Sequence, residues 1–599
     1  MLTSTTSRRR LGALAAACLL SVALPMAPAW AQKTKTKDSP ATEASAPVIT
    51  ESVDIPTIDA VDSNVDEDTL RAIFSGNVTD NADALAGLDA TSITIPAINV
   101  QTTTTVEGKT TNATVTFSDL VLNNVADGVA ASVTLSGMSI DSAEDGSGAF
   151  GAVSATNFNI AGVLGMYGLV DAGGGTELKT IYTDFNFEGG TITSPEVNCT
   201  IGSMTAAEFK ARPLKHSFAE MMALAEAVEA EGEDASPEVM GQAMRMYADM
   251  LTAFESSPIE FGGFECSGVD EEDRPIDFKV AGMSVGGMSP GIYPAITMTG
   301  LEVAVEGDGA VGLGSFDMKA MDLSGPIAAI EAAPETIDEA WLTANARAMI
   351  PAFEGFSFSD LRIDVPDPET EGARIKATVG AFDLTLGSYL NGIPTDLLTT
   401  ASNIVVDLPT DSTDEQVQQL LALGVTSIDA GFTVDASWNE AEDTIAFDEV
   451  SITGADLATV KLVGTIANAT ETLFSLDENE ALMAAMGVAV ANLKVDVIDA
   501  GLSDIIMASV AAEQGGDPAT MRPVFAGLAE GTVVGFLAGA AEAQKVGAAI
   551  NSFVSGNAKH LTIEMTAKDA PGIGMMDFMA AEDDPSLLIG KVTIDATAK

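Results

Sequence analysis

Between Val425 and Ile466 apolar and polar residues alternate along the chain, and this pattern leaves few folds open. From Ile428 to Trp438 the even positions are Ile428, Ala430, Phe432, Val434, Ala436 and Trp438, while Asp429, Gly431, Thr433, Asp435 and Ser437 fill the odd ones. Successive strand side chains point to opposite faces, so this is a strand with one apolar and one polar face. After a polar turn at Asn439 to Asp443, Thr444 to Thr453 returns with Ile445 and Phe447, then moves to Val450 and Ile452 across Asp448-Glu449. That change of phase predicts a bulge. Thr453-Gly454-Ala455-Asp456 turns again, and Ala458, Val460, Leu462 and Ile466 alternate with Thr459, Lys461 and Thr465. The result is an antiparallel meander with one apolar face. That face must be covered by the chain's own helices, by a second sheet or by an apolar ligand, and each cover implies a different function.

The first residues read as an export address. Arg8-Arg9-Arg10 precede an apolar run from Leu11 to Leu24, too short to span a bilayer comfortably, and Ala29-Trp30-Ala31 is a cleavage signature. Residues 1–31 are therefore expected to be removed, with 32–47, lysines among Thr, Ser, Pro and Ala, as a polar tether. Ser7 to Leu11 partly matches a twin-arginine signal, beside the general export route. With 87 acidic against 28 basic residues the formal charge is −59, and loss of the leader's arginines makes it more negative. Such a charge excludes nucleic acid as a natural partner and suits a solubility coat in salty surroundings. Cys18 leaves with the leader. Cys199 and Cys266 remain, an even pair that predicts a disulfide worth about 4 kcal/mol in the chain-entropy view.

Along the chain, small helices are expected at Glu67 to Phe74 and Asp80 to Leu88, followed by Thr-rich strands at 92–101, 112–123, 130–139, 153–163, 179–188 and 191–201. Helical spacing at Thr205 to Ala230, with Phe209, Met221 and Met222, and at Pro237 to Glu255, with Met244 and Met250, predicts a helical hairpin over 205–255. Strands resume at Ile259, so Cys199 and Cys266 would flank that hairpin and clamp its base. A helix at Thr336 to Met349 is the expected divider between a β-rich half, 48–349, and a second, 350–599. Thr116-Phe117-Ser118-Asp119-Leu120 recurs as Ser357-Phe358-Ser359-Asp360-Leu361, an internal echo consistent with duplication. The second half closes with a helical block over 502–555, then strands at 560–567 and 587–596 around a short helix at 575–581. Strands outnumber helices and helices come in blocks. The fold class is α+β, an extended, mostly antiparallel sheet with helical hairpin and bundle insertions capping one face.

Leu420-Leu421-Ala422-Leu423-Gly424, Trp438-Asn439, Gly454-Ala455-Asp456-Leu457 and Gly392-Ile393-Pro394-Thr395 resemble segments of a family of uncharacterised exported proteins from Gram-negative bacteria. The resemblance covers mainly the second half. It implies the fold and an envelope location, and carries no activity.

Gly527, Gly531, Gly535 and Gly539 recur at four-residue steps on one helix, continued by Ala543 and Gly547. On a solvent-facing helix they would cost roughly 3 to 4 kcal/mol relative to alanine, so they are expected to face something. Close packing on the protein's own sheet is the first expectation, with leaning on lipid and a true span as the alternatives. The methionines of the hairpin read as core filler first, and as an adaptable surface for a lipid or partner second. Catalytic material is poor. Ser284 and Ser289 each sit in G-x-S-x-G, but no helix can follow them as a nucleophile elbow requires. Gly108-Lys109-Thr110 lacks the earlier glycine of a phosphate loop, and the acidic clusters near Asp62, Asp141 and Asp270 read as solvated turns. His216 and His560 with a bridged cysteine pair leave no zinc set, and nothing calls for a cofactor. The expected function is a non-enzymatic, envelope-associated structural or interaction protein. The alternative is a periplasmic carrier of a lipid or other apolar ligand held between sheet and helices.

Overall fold

The computed structural model describes residues 48–106, 109–142, 146–171, 175–232, 236–270, 273–367, 373–410, 412, 414–537, 540, 542–583 and 586–599. The expected leader and tether lie outside them. Thr50–Thr103 and Thr111–Lys599 form the compact unit described below.

Helix α1 (Glu67–Phe74) starts where the Asp66 carboxylate accepts from the Thr69 N–H at 2.9 Å. That bond first, and one from the Thr69 hydroxyl at 3.1 Å, hold the Asp66 carboxyl below its ordinary range, so this acid of the first cluster serves as a cap. Leu70 and Ile73 of α1 and Leu85 of α2 (Ala82–Ala86) fill a core with Leu88, Ile93, Ile95, Leu122, Val125 and Ala130. Full burial of such side chains contributes roughly 1.5 to 3 kcal/mol each. Strands β1 (Val129–Ser142) and β2 (Val153–Asn159) pair antiparallel. The expected strand over 153–163 ends early, because the Asn159 side chain accepts from the Gly162 N–H at 2.7 Å and caps α3 (Ile160–Met166). There Leu164 joins the same core.

Next come β3 (Lys179–Phe187), β4 (Val197–Ile201) and β5 (Met204–Ala211). The last corrects the sequence reading, which placed a helix from Thr205. Its residues pair with β3, and the Phe209 ring stacks between those of Tyr182 (5.5 Å) and Phe254 (5.7 Å). Cross-strand aromatic packing overrides a helical spacing that only Phe209 supported. The helical hairpin is therefore shorter than 205–255. It comprises α4 (Phe218–Glu231), opened by a Ser217/Glu220 capping box, and α5 (Pro237–Leu251).

From β6 (Ile259–Phe261) and β7 (Phe264–Val269) the chain enters a plain meander. It runs through β8 (Pro275–Val285), β9 (Ile296–Val305) and β10 (Gly309–Met318), each antiparallel to the one before. Helices α6 (Ser324–Ala332) and α7 (Glu339–Ala344) follow, the first unexpected and the second covering only part of the helix placed at Thr336 to Met349. β11 (Gly355–Pro366) pairs directly with β10, so the ladder crosses this connection without a break. It continues through β12 (Arg374–Gly387), β13 (Asp396–Asp407), helix α8 (Glu415–Ala422), β14 (Ser427–Asn439), β15 (Thr444–Gly454) and β16 (Ala458–Ala467). The bulge at Asp448-Glu449 is present as a register shift between Phe447 and Val450. After α9 (Glu478–Gly487), β17 (Ala489–Asp499) leads into α10 (Leu502–Gln514), α11 (Pro518–Phe536) and α12 (Ala543–Val554). β18 (His560–Ala567), α13 (Met575–Asp583) and β19 (Val592–Ala598) complete the sheet, the strand expected from Leu587 starting only after a helical turn at Ser586–Ile589. The α+β class is as the sequence predicts.

One line of residues crosses this meander. Gly300 on β9, Asp360 on β11 and Asn403 on β13 have left-handed φ of 61°, 52° and 51°. On the strands between them stand glycines. A Cβ on Gly314 would lie 2.8 Å from that of Asp360, and one on Gly380 2.9 Å from that of Asn403. Asp360 and Asn403 thus turn their side chains into space that only a glycine leaves free, while at Gly300 a Cβ would itself lie 2.7 Å from that of Ala281. Apolar positions change parity across this crease, from Leu301 and Val303 to Met298 and Ile296, and from Leu361 and Ile363 to Phe358 and Phe356. Strand β14 alternates straight through, with Ile404 opposite Ala430 and Ala401 opposite Phe432. Directly opposed residues share a face, so both arms of the crease present their apolar residues on the same side. The echo noted in the sequence marks this feature, since Asp119 also has a left-handed φ of 49°.

Candidate functional site

The register lines up two apolar rows on that face. One runs Met283, Met298, Phe316, Phe358, Phe382, Ala401, Phe432, Ile452 and Val460, each directly opposite the next. The second, two residues along each strand, runs Val285, Ile296, Met318, Phe356, Leu384, Thr399, Val434, Val450 and Leu462. Rings stack within the strip, Phe358 on Phe382 at 5.1 Å and Phe356 on Phe382 at 5.3 Å. At about 4.8 Å per strand the part from β9 to β16 is roughly 34 Å long. That exceeds the thickness of a bilayer's hydrocarbon core, roughly 30 Å and two acyl chains deep.

Cover differs along the strip. At the amino-terminal end Phe185, Phe187 and Ile259 are buried, and burial pushes the nearby Tyr182 hydroxyl up to about 12. At the carboxy-terminal end Leu561 and Ala596 are buried under Ala543, Val546 and Ala549 of α12. Between them Phe316, Phe356, Phe358, Phe382, Phe432 and Val434 are only half-buried, and Ile452 is 67% exposed. On the far arm of the crease a concavity of about 520 Å³ is lined mainly by rows of the opposite face, with Glu302, Arg362, Asp364, Lys376 and Asp407 among its residues, and so adds nothing to the apolar strip.

The opposite face carries a matching polar row. Ser284, Thr297, Asp317, Ser357, Asp383, Thr400, Thr433, Ser451, Lys461, Asp496 and Thr562 stand opposite one another in turn. Its hydrogen bonds are largely internal. Ser284 donates to Glu260 Oε1 at 2.8 Å, Thr297 to Asp317 Oδ1 at 2.8 Å, and Thr562 to Asp496 Oδ1 at 2.5 Å. Partial burial alone would raise the Asp496 carboxyl, but bonds from Thr562 and His560 and the charge of Lys494 hold it below its usual range. Ser284 and His560 thus sit on β8 and β18, far apart in the ladder, each bonded to its own carboxylate.

Cys199 and Cys266 are bridged, directly opposite on β4 and β7 with Cα atoms 4.1 Å apart. They lie one strand segment beyond the hairpin's base. Their row continues through Phe278 and Val303 to Val311, on the apolar face of the far arm. Of the hairpin methionines, Met244 packs with Ala248, Ile327 and Ile330, Met221 and Met250 are half-buried, and Met222 is exposed. They are not gathered on the strip. The glycine stripe overturns its first expectation. Gly527, Gly531 and Gly535 are exposed, and a Cβ on any of them would meet nothing within 4 Å. Gly539 lies outside the described residues. Helix α11 instead buries its other side, through Ala526 and Val533, and the close crossing falls at Gly547, where a Cβ would lie 2.5 Å from Val534. The crease and the strip escaped sequence reasoning, though Gly314 and Gly380, each followed two residues later by phenylalanine, signal both.

A family described only as an uncharacterized protein matches residues 451–599, from the end of β15 to the carboxy terminus. No curated protein and no solved structure matches the chain.

Proposed function

We propose that the protein carries a lipid or another long apolar molecule on the open strip, within the envelope of the cell that exports it. The observation that supports this most is the cover: one apolar face, closed at both ends and largely half-exposed across the eight strands between, interrupted at β13, where Ala401 is buried and Thr399 is polar. Water against stacked phenylalanines costs about 25 cal/mol per Å² of apolar surface, and an acyl chain laid across them removes that cost. Carriage needs no catalytic group. The strand order alone determines the path.

A second reading, an envelope-associated structural or interaction protein, draws on Val524, Leu528 and Phe536, each over 60% exposed along α11. The test separates the two. A photoreactive phenylalanine analogue placed at Phe382 is expected to cross-link to lipid in the cell, whereas the same analogue at Thr400, on the polar face, is not. Protein cross-links at Phe382, with no lipid released by extraction of detergent-free protein, would favour the second reading.

A further inference from the structure

Strand β14 carries the apolar series past the strip, through Val434 and Ala436, to Trp438. There it ends in a pocket of about 360 Å³ lined by Ser388, Tyr389, Leu390, Thr395, Trp438, Glu440 and Glu471. Both aromatic rings are fixed at their polar tips. The Trp438 indole N–H donates to the Ala469 carbonyl at 2.6 Å and its ring lies 4.8 Å from that of Phe474, while the Tyr389 hydroxyl donates to the Phe353 carbonyl at 2.7 Å. Their hydrogen-bonding groups are used inside the protein, which leaves ring surface for the pocket. Burial raises the Tyr389 hydroxyl, so the ring stays neutral. The two carboxylates are different. Glu440 follows the end of β14, Glu471 opens the turn Glu471–Phe474, and among the described residues neither has an ion pair or a side-chain hydrogen bond. No Lys, Arg or His lines the pocket.

Two aromatic faces with two unpaired carboxylates form a receptor for an organic cation. We infer that this pocket binds the ammonium group of an amine-bearing lipid whose acyl chain lies on the strip. The inference rests on the carrier reading and adds the headgroup to it. The continuity of Phe432, Val434, Ala436 and Trp438 on one face of β14 argues for a lipid amine over a free one. A chain on the strip and a head at Trp438 form one ligand.

The experiment uses the full mature chain and three lysolipids with the same acyl chain, bearing ethanolamine, choline or glycerol headgroups, titrated below micelle formation. Ethanolamine and choline forms are expected to bind about tenfold more tightly than the glycerol form, the scale of a cation–π contact with charge support. The double variant Glu440→Gln/Glu471→Gln should erase that preference by weakening the ethanolamine and choline forms. Both glutamates are exposed, so folding is not at stake. The variant also separates the pocket from the general acidity of the chain, since it removes only two of 87 acidic residues. Equal affinity for all three lipids, or a preference that survives the double variant, overturns the inference. Phe382→Asp is expected to weaken all three alike. If it weakens none while the preference persists, the carrier reading falls and the cation pocket stands; if no lysolipid binds, both fall.

Discussion

The carboxy-terminal end of the apolar face and its middle are built from the same rows and have opposite fates. Val497 and Leu561 continue the row of Phe382 and Phe432, and Ile563 continues that of Leu384 and Val434. Yet Leu561 is 7% exposed under α12, while Ile452, two strands before β17, is 67% exposed. The strands do not decide which face is covered. What decides is whether the connection after a strand is long enough to fold back, as the α10 to α12 segment does between β17 and β18.

The sharpest test of this contrast is a pair of truncations. Leu561→Ala is expected to cost about 2 to 4 kcal/mol in denaturant unfolding, because Val546 and Ile589 cannot collapse into the space. Phe382→Ala should cost clearly less despite its larger side chain, and should lower the lipid recovered with the protein. Equal losses would mean that something covers the middle. The next effect concerns the crease. Gly380→Ala puts a methyl group against the Cβ of Asn403 and is expected to cost about 1 to 3 kcal/mol, as overpacking does. Asn403→Gly in the same chain should recover most of it, which a purely conformational cost at Gly380 would not allow.

The root of the helical cover gives a smaller, pH-dependent effect. Asp499 is nearly buried and accepts from Lys559 Nζ at 2.6 Å, from the Ser503 hydroxyl at 2.6 Å, and from the Ser503 and Gly501 amides. Burial alone would raise its carboxyl; these bonds outweigh it and hold the group far below the ordinary carboxylate range. A carboxyl whose folded pKa is depressed stabilises the fold above its unfolded value, near 4, and loses that contribution as pH falls through the folded one. Asp499→Asn should therefore cost about 1 to 2 kcal/mol at neutral pH. The gap from the parent protein should hold down to about pH 5 and narrow in acid. A gap that widens in acid would reverse the assigned direction.

Local order was legible in the sequence wherever a single strand or cap carries it. The even series on β14 and the bulge at Asp448-Glu449 depend on neighbours a few residues away, and both are where periodicity puts them. Failures came where partners are distant. Phe209 reads as helical until Tyr182 and Phe254 are seen on either side of it, and Gly314 reads as a weak strand residue until Asp360 is placed beside it. Openness of the strip is less legible still. It is a property of which insertions reach over which strands, and no residue of β11 or β12 records that.

The glycines of α11 put the smallest effect on the same contrast, with the sign reversed. If they faced the sheet, a methyl group at Gly531 would clash and destabilise. In the structure the stripe looks outward, with open space above Gly531, while on the helix's other side Ala526 is buried and Val533 packs with Val546 of α12. Helical glycine costs about 0.8 to 1 kcal/mol relative to alanine through backbone entropy alone. Gly531→Ala is therefore expected to stabilise the protein by somewhat less than that, as a rise in melting temperature. Gly547→Ala, whose methyl group would meet Val534, should lower it. A loss of stability at Gly531 would place a partner on the stripe, and the exposed residues Val524, Leu528 and Phe536 beside it would then belong to an interface, not to the solvent-facing side of the cover.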